Sequence, residues 1–188
     1  ITHQVTIDGA NRTVSISGHS DNNGSIDVRQ FSVAEGATLT LRNLTLKRAD
    51  GTDGGAIANR GTLVVVNSTF TSNTASGYGG AIYNIGTLTV SGSTFIANFA
   101  AQRGGAISSG GWDIYGNRYT GVTATITNST FTENSANTGG ALHNIGNLLL
   151  VNNTLVNNTA YELTAVAIDN YIGVTTLINN LFMNHFPP

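Results

Sequence analysis

Cysteine is absent from the chain, which excludes disulfide staples and thiolate metal sites and leaves the compartment unread from redox chemistry. Charge is scarce as well. Asp, Glu, Lys and Arg make up 10% of the residues, against about 25% in ordinary soluble proteins. With a formal net charge of -2, a surface made polar by amides and hydroxyls suits neither nucleic acid nor an anionic membrane. No apolar run is long enough for a membrane-spanning helix. No window places apolar residues at helical spacing over ten or more positions, so helical architectures are excluded too. Residue 1 is Ile and the only methionine is Met183. The expectation is a processed or excerpted chain whose export signal lies outside these residues.

What the chain has instead is a sentence that repeats. Gly79-Gly80-Ala81-Ile82-Tyr83-Asn84-Ile85-Gly86 recurs as Gly54-Gly55-Ala56-Ile57-Ala58-Asn59-Arg60-Gly61, as Gly104-Gly105-Ala106-Ile107 and as Gly139-Gly140-Ala141-Leu142-His143-Asn144-Ile145-Gly146, with a worn copy at Ala167-Ile168-Asp169-Asn170. A second motif follows in phase: Phe70 with Asn73, Phe95 with Asn98, Phe131 with Asn134, Leu155 with Asn158 and Leu181 with Asn184. Ile57 to Phe70, Ile82 to Phe95, Leu142 to Leu155 and Ile168 to Leu181 are each 13 positions apart. The step between copies is about 25 residues, the signature of a solenoid. Between the motifs lie alternating β-branched and apolar segments such as Thr62-Leu63-Val64-Val65-Val66 and Thr87-Leu88-Thr89-Val90, which read as strands. A Leu-x-x-Leu-x-Leu frame is missing, so a leucine-rich repeat is excluded.

The expected architecture is a coil of three short strands per turn, about seven turns in all, in which equivalent side chains stack at the sheet spacing of about 4.8 Å. Ile57, Ile82, Ile107, Leu142 and Ile168 form one buried aliphatic ladder. Phe70, Phe95 and Phe131 form an aromatic one, continued by Leu155 and Leu181, with Leu44 ahead of Phe70. Asn59, Asn84, Asn144 and Asn170 form a corner ladder of amides, and Asn73, Asn98, Asn134, Asn158 and Asn184 a second, where Asn tolerates left-handed backbone.

These paired motifs, Gly-Gly-Ala-Ile and Phe-x-x-Asn, resemble the repeats of the chlamydial polymorphic outer-membrane proteins and related bacterial surface adhesins, within the pectate-lyase-like superfamily. The resemblance covers residues 31–184. It implies an all-β, right-handed parallel β-helix, displayed on a cell surface or secreted, and usually adhesive. The superfamily also includes phage tailspikes and polysaccharide lyases, so fold alone does not decide function. The pattern departs at Ser108-Ser109, where the corner Asn is missing, and at Leu163-Thr164-Ala165-Val166, where the double Gly is gone.

A single domain over residues 1–188 is expected: an irregular first turn with strands over 1–30, regular coils over 31–186, and an inserted loop over 110–121. The loop follows from Ile107 and Phe131 standing 24 positions apart instead of 13. It carries Trp112, Asp113, Tyr115, Arg118 and Tyr119, aromatic rings beside polar groups, which is what a sugar or protein contact needs. The competing reading is that the rings fold back over the coil. Asp50 and Asp53 on a Gly-containing turn could hold Ca²⁺, but two anionic ligands fall short of the six or more oxygens calcium takes; no cofactor is expected otherwise. The remaining acids are dispersed singly, and His3, His19, His143 and His185 share no spacing suited to a metal or a triad. No catalytic residue is assigned. Sequons at Asn11, Asn23, Asn43, Asn67, Asn128, Asn152 and Asn157 fall mostly within the repeat and are read as coil geometry rather than glycosylation. The reading is a secreted or cell-surface structural or adhesive β-solenoid that associates end to end through its open terminal turns, as a filament or as a segment of a longer adhesin. The alternatives are a carbohydrate-binding module, and then a polysaccharide lyase or hydrolase; the expected partners are further copies of the chain, glycans or a neighbouring cell surface.

Overall fold

The computed structural model describes residues 1–10, 12–18, 28–112, 116, 118, 119, 121–162 and 167–184, and every element among them is a strand. In the turn that begins at Ile57, four strands follow one another: Ile57–Asn59, Thr62–Val66, Thr69–Thr71 and Thr74–Ala75. Each pairs in parallel with its equivalent one turn on, Ile57 with Ile82, Leu63 with Leu88, Phe70 with Phe95 and Thr74 with Phe99. The result is a parallel β-solenoid with four sheets of six, seven, seven and five strands, taken in that order along the turn. Three strands per turn were expected. The fourth is two residues long in most turns, too short to show an alternating pattern, and it runs directly from the corner Asn.

Alternation decides which side chains enter. In Thr62–Val66, Leu63 and Val65 are fully buried while Thr62, Val64 and Val66 are half-exposed. The inward rows are continuous: Leu39, Leu63, Leu88, Ala124 and Leu148 in one, Leu41, Val65, Val90, Ile126 and Leu150 in the next. The predicted aliphatic ladder from Ile57 to Ile168 is present in full register. In the aromatic ladder Phe70, Phe95 and Phe131 stack nearly face to face, with centroids 4.8 and 4.7 Å apart. Those distances are the inter-strand spacing itself.

Two members of that row differ from expectation. Phe70 pairs with Leu46, not Leu44, and Leu155 pairs with Phe182, not Leu181. One extra residue lies between Ile168 and the third sheet in the last turn, so the constant spacing slips by one. The same slip moves Asn184, whose φ of 51° matches that of Asn157, out of the Asn158 row. Residues 1–18 are also more regular than expected. Gln4–Asp8 and Val14–Ser17 pair in parallel with Thr38–Arg42 and Leu44–Lys47 as the first rung of the second and third sheets.

The corners explain the Gly and Asn content. Gly79 has a φ of 65°, a region that L side chains rarely occupy, and a Cβ on Gly80 would sit 2.2 Å from the carbonyl oxygen of Gly105. The five described sequon asparagines, Asn43, Asn67, Asn128, Asn152 and Asn157, all have φ between 48° and 55°. They are the residues that turn the chain. Next to each such row runs a buried polar ladder. Asn73 Nδ2 donates to Asn98 Oδ1, Asn98 Nδ2 to Asn134 Oδ1 and Asn134 Nδ2 to Asn158 Oδ1, each at 2.9 Å. In the first sheet Asn59 Nδ2 reaches Asn84 Oδ1 at 2.7 Å and Asn84 Nδ2 reaches Ser109 Oγ at 3.1 Å, so Ser109 takes the place of the missing Asn; Asn144 then donates to Asn170. A third ladder was not foreseen: the amides of Ser68, Ser93, Ser129 and Asn153 donate to the side chains of Ser93, Ser129, Asn153 and Asn180. Its change from Ser to Asn hides it in the sequence, although both supply the same acceptor.

Candidate functional site

The interrupted turn positions the site. Residues 85 and 86 alone separate Ile82–Asn84 from Thr87–Ser91, whereas residues 110–122 separate Ile107–Ser109 from Thr123–Thr127. The insertion doubles back on itself: Trp112 and Arg118 form an antiparallel bridge, and the Tyr119 amide donates to the Gly111 carbonyl at 3.0 Å. It lies against the outer face of the first sheet, where Gly111 approaches the Tyr83 hydroxyl so closely that a Cβ there would stand 2.1 Å from it.

The outer face beneath it is a row of one residue per turn, the position between Ile and Asn in the first motif. Ala58, Tyr83, Ser108, His143 and Asp169 are in-register neighbours along it. His143 is 1% exposed and Ser108 is fully buried. His143 Nδ1 lies 2.9 Å from Asp169 Oδ2, which also accepts from Thr138 Oγ1 at 2.8 Å and stands 4.0 Å from Arg103 Nη1. With Nδ1 donating to a carboxylate, Nε2 of the neutral ring is a bare acceptor. Among the described residues neither His143 Nε2 nor Ser108 Oγ has a hydrogen-bond partner. The two therefore do not bond each other, and the proton path of a nucleophilic serine is not formed.

Burial pushes the Asp169 carboxyl upward, but the hydrogen bonds from His143 and Thr138, with the nearby charge of Arg103, outweigh it and hold the group below the usual aspartate range. A folded-state value below the unfolded one adds stability above about pH 4 that is lost as pH falls through the lower, folded value. Asp169→Asn is expected to flatten this acid limb, read as the change in urea midpoint between neutral and strongly acid buffer. An unchanged slope would show that the dyad contributes nothing to it. Tyr83 is shifted the other way, upward, by burial first and then by the Asp53 carboxylate; its phenol stays protonated at any physiological pH.

Trp112, Tyr78, Tyr83, Asp53, His143 and Ile145, with Gly110 and Gly111, enclose a cleft of about 150 Å³. Its aromatic wall is braced from behind. Trp112 meets Tyr171 edge to face at 6.1 Å, and Arg103 lies 5.0 Å over the Tyr171 ring. Tyr78 and Tyr83 stack at 6.2 Å, and Asp53 Oδ1 fixes the loop by accepting the Tyr78 amide at 3.0 Å.

The contact set expected from the insertion is thus divided. Trp112 faces the cleft, while Arg118 and Tyr119 line a separate hollow of about 190 Å³ with Val122, Ile172 and Val174. Asp113 and Tyr115 lie outside the described residues. Asp50 sits on the two-residue strand Asp50–Gly51 and Asp53 on the cleft; among the described residues no three His, Asp or Glu side chains gather as a metal site. Reasoning from sequence passed over Tyr78, Tyr83, Ser108, His143 and Asp169. The signal was the variable position of the first motif read down the copies instead of along the chain, because histidine spacing of 26 residues looks remote until the turns are stacked.

Four sheets wound in parallel, corner amides and a side insertion define a parallel β-helix with one elaborated turn. More particularly, residues 67–85 and 128–145 match the family model of the Chlamydia polymorphic membrane protein repeat, and the chain is a β-helix resembling those proteins. Both matched stretches run from the left-handed Asn of one turn through the first motif of the next. No curated protein and no solved structure matches the chain. Among the described residues no helix is long and apolar enough to cross a membrane.

Proposed function

We propose that the chain is a non-catalytic, adhesive β-helix of a cell surface or secreted material, and that it associates end to end with further copies of itself, without a cofactor. The observation that carries the association is the rung over 168–183. Leu177 continues the row in which Val65, Val90, Ile126 and Leu150 are fully buried, yet it is 49% exposed. Native sheets blunt such edges with charges or Pro; Val174–Ile178 and Leu181–Met183 contain neither. The opposite end offers the matching surface. Val5 and Ile7 occupy the same two inward rows as Thr175 and Leu177, so a second copy seated in register would place Ile7 over Leu177 and continue the ladder.

Sedimentation velocity over a range of concentrations tests this. The chain is expected to associate with rising concentration, and Leu177→Lys is expected to return it to a monomer. A wild-type chain that stays monomeric throughout would sink the association. The aromatic cleft under the insertion favours a second reading, a carbohydrate-binding module.

A further inference from the structure

We propose that the cleft between the insertion and the first sheet is a binding site for a single neutral, hydroxyl-rich ring, the terminal residue of a glycan, with the His143–Asp169 pair as its polar pole. This rests on the carbohydrate-binding reading and not on end-to-end association, so either can fail alone. Three observations converge. The first is an orphaned acceptor. Asp169 commits Nδ1 of His143 at 2.9 Å, and Nε2 is left buried with no partner among the described residues, beside a cleft that the same residue lines. A buried acceptor of that kind calls for a donor, and a ligand hydroxyl supplies one. The second is the wall. Trp112, Tyr78 and Tyr83 line the same small volume, and aromatic bodies with polar tips are suited to one apolar face of a sugar and its hydroxyl rim.

The third is charge. Each carboxylate near the cleft already has a guanidinium neighbour: Asp169 has Arg103 at 4.0 Å, and Asp53 interacts with Arg29. Neither sign stands at the cleft without its opposite nearby. An anionic sugar would also meet two carboxylates and a bare imidazole nitrogen, and an ammonium would compete with the arginines. A neutral polyol satisfies the acceptors without either cost.

The only tryptophan of the chain stands at the cleft, so its emission reports occupancy directly. Methyl glycosides of neutral hexoses, of N-acetylhexosamines and of fucose are titrated against the 188-residue chain, with a methyl uronide and choline as charged comparators. The expected result is saturable change in Trp112 emission with at least one neutral glycoside and none with either charged probe. His143→Ala is expected to weaken that binding at least tenfold while the far-ultraviolet circular dichroism stays that of the parent. Tyr83→Phe, which keeps the ring and its packing, is expected to weaken it severalfold and guards against a His143 variant that misfolds. Saturation by the uronide or choline alone, absence of saturation with every neutral glycoside up to millimolar concentration, or affinity indifferent to both substitutions would overturn the proposal.

Discussion

Asn98→Ala is expected to lower the unfolding free energy by about 4 kcal/mol, far more than truncating an exposed polar residue does. The side chain is fully buried and bonded on both ends. Its Oδ1 accepts from the Asn73 amide at 3.1 Å and from Asn73 Nδ2 at 2.9 Å; its Nδ2 donates to the Phe70 carbonyl at 3.1 Å and to Asn134 Oδ1 at 2.9 Å. Alanine leaves the Asn73 amide without its acceptor in a site closed to water. Asn98→Asp separates the two halves of the effect. It retains the acceptor but turns the two donated bonds into contacts between oxygens, so the folded state holds the acid form and the folded pKa rises. The variant's stability is then expected to increase as pH falls, opposite in sign to the Asp169 limb. Urea denaturation of both variants at two pH values checks this; a loss below about 1 kcal/mol for alanine would place the ladder among ordinary surface hydrogen bonds.

The legible part of this fold was whatever repeats with its identity intact. Ile57, Ile82 and Ile107 announce a row because the same residue returns at the same interval, and stacking is the only geometry that makes such a return useful. What did not read was a row held together by function rather than identity. Ser68, Ser93, Ser129, Asn153 and Asn180 share an acceptor oxygen and nothing else, while Leu155 and Phe182 share only a volume. A single extra residue before Phe182 then moves the apparent period onto Leu181, whose side chain stands elsewhere. The site hid for the opposite reason. At Ala58, Tyr83, Ser108, His143 and Asp169 the motif varies because those side chains point away from the core and are free of the ladder packing that fixes the inward rows. Variation inside a strict repeat marked the face on which chemistry could be placed, and the insertion covering that face was the part visible along the chain.

Phe95→Ala at the centre of the aromatic row is expected to cost about 4 kcal/mol, the loss typical for a buried phenylalanine, and to change the form of the transition as well as its midpoint. Phe95 is fully buried and is the middle ring of three, 4.8 Å from Phe70 and 4.7 Å from Phe131 with interplanar angles of 7° and 2°. Removing it opens a gap with a ring on either side, and neither can move in, because each is fixed by a strand whose spacing is set by backbone hydrogen bonds. In a solenoid each turn is held chiefly by its two neighbours, so a central lesion weakens the coupling between the halves it joins. The urea transition of Phe95→Ala is therefore expected to broaden, with a lower slope than the parent or two resolved steps. Phe95→Leu puts into the gap the residue that the row itself uses at Leu155. It is expected to cost less than half as much and to keep a single steep transition. Equal losses for the two variants, or an alanine variant that unfolds as sharply as the parent, would mean that the rings are packed as independent side chains and that the stack carries no cooperativity along the coil.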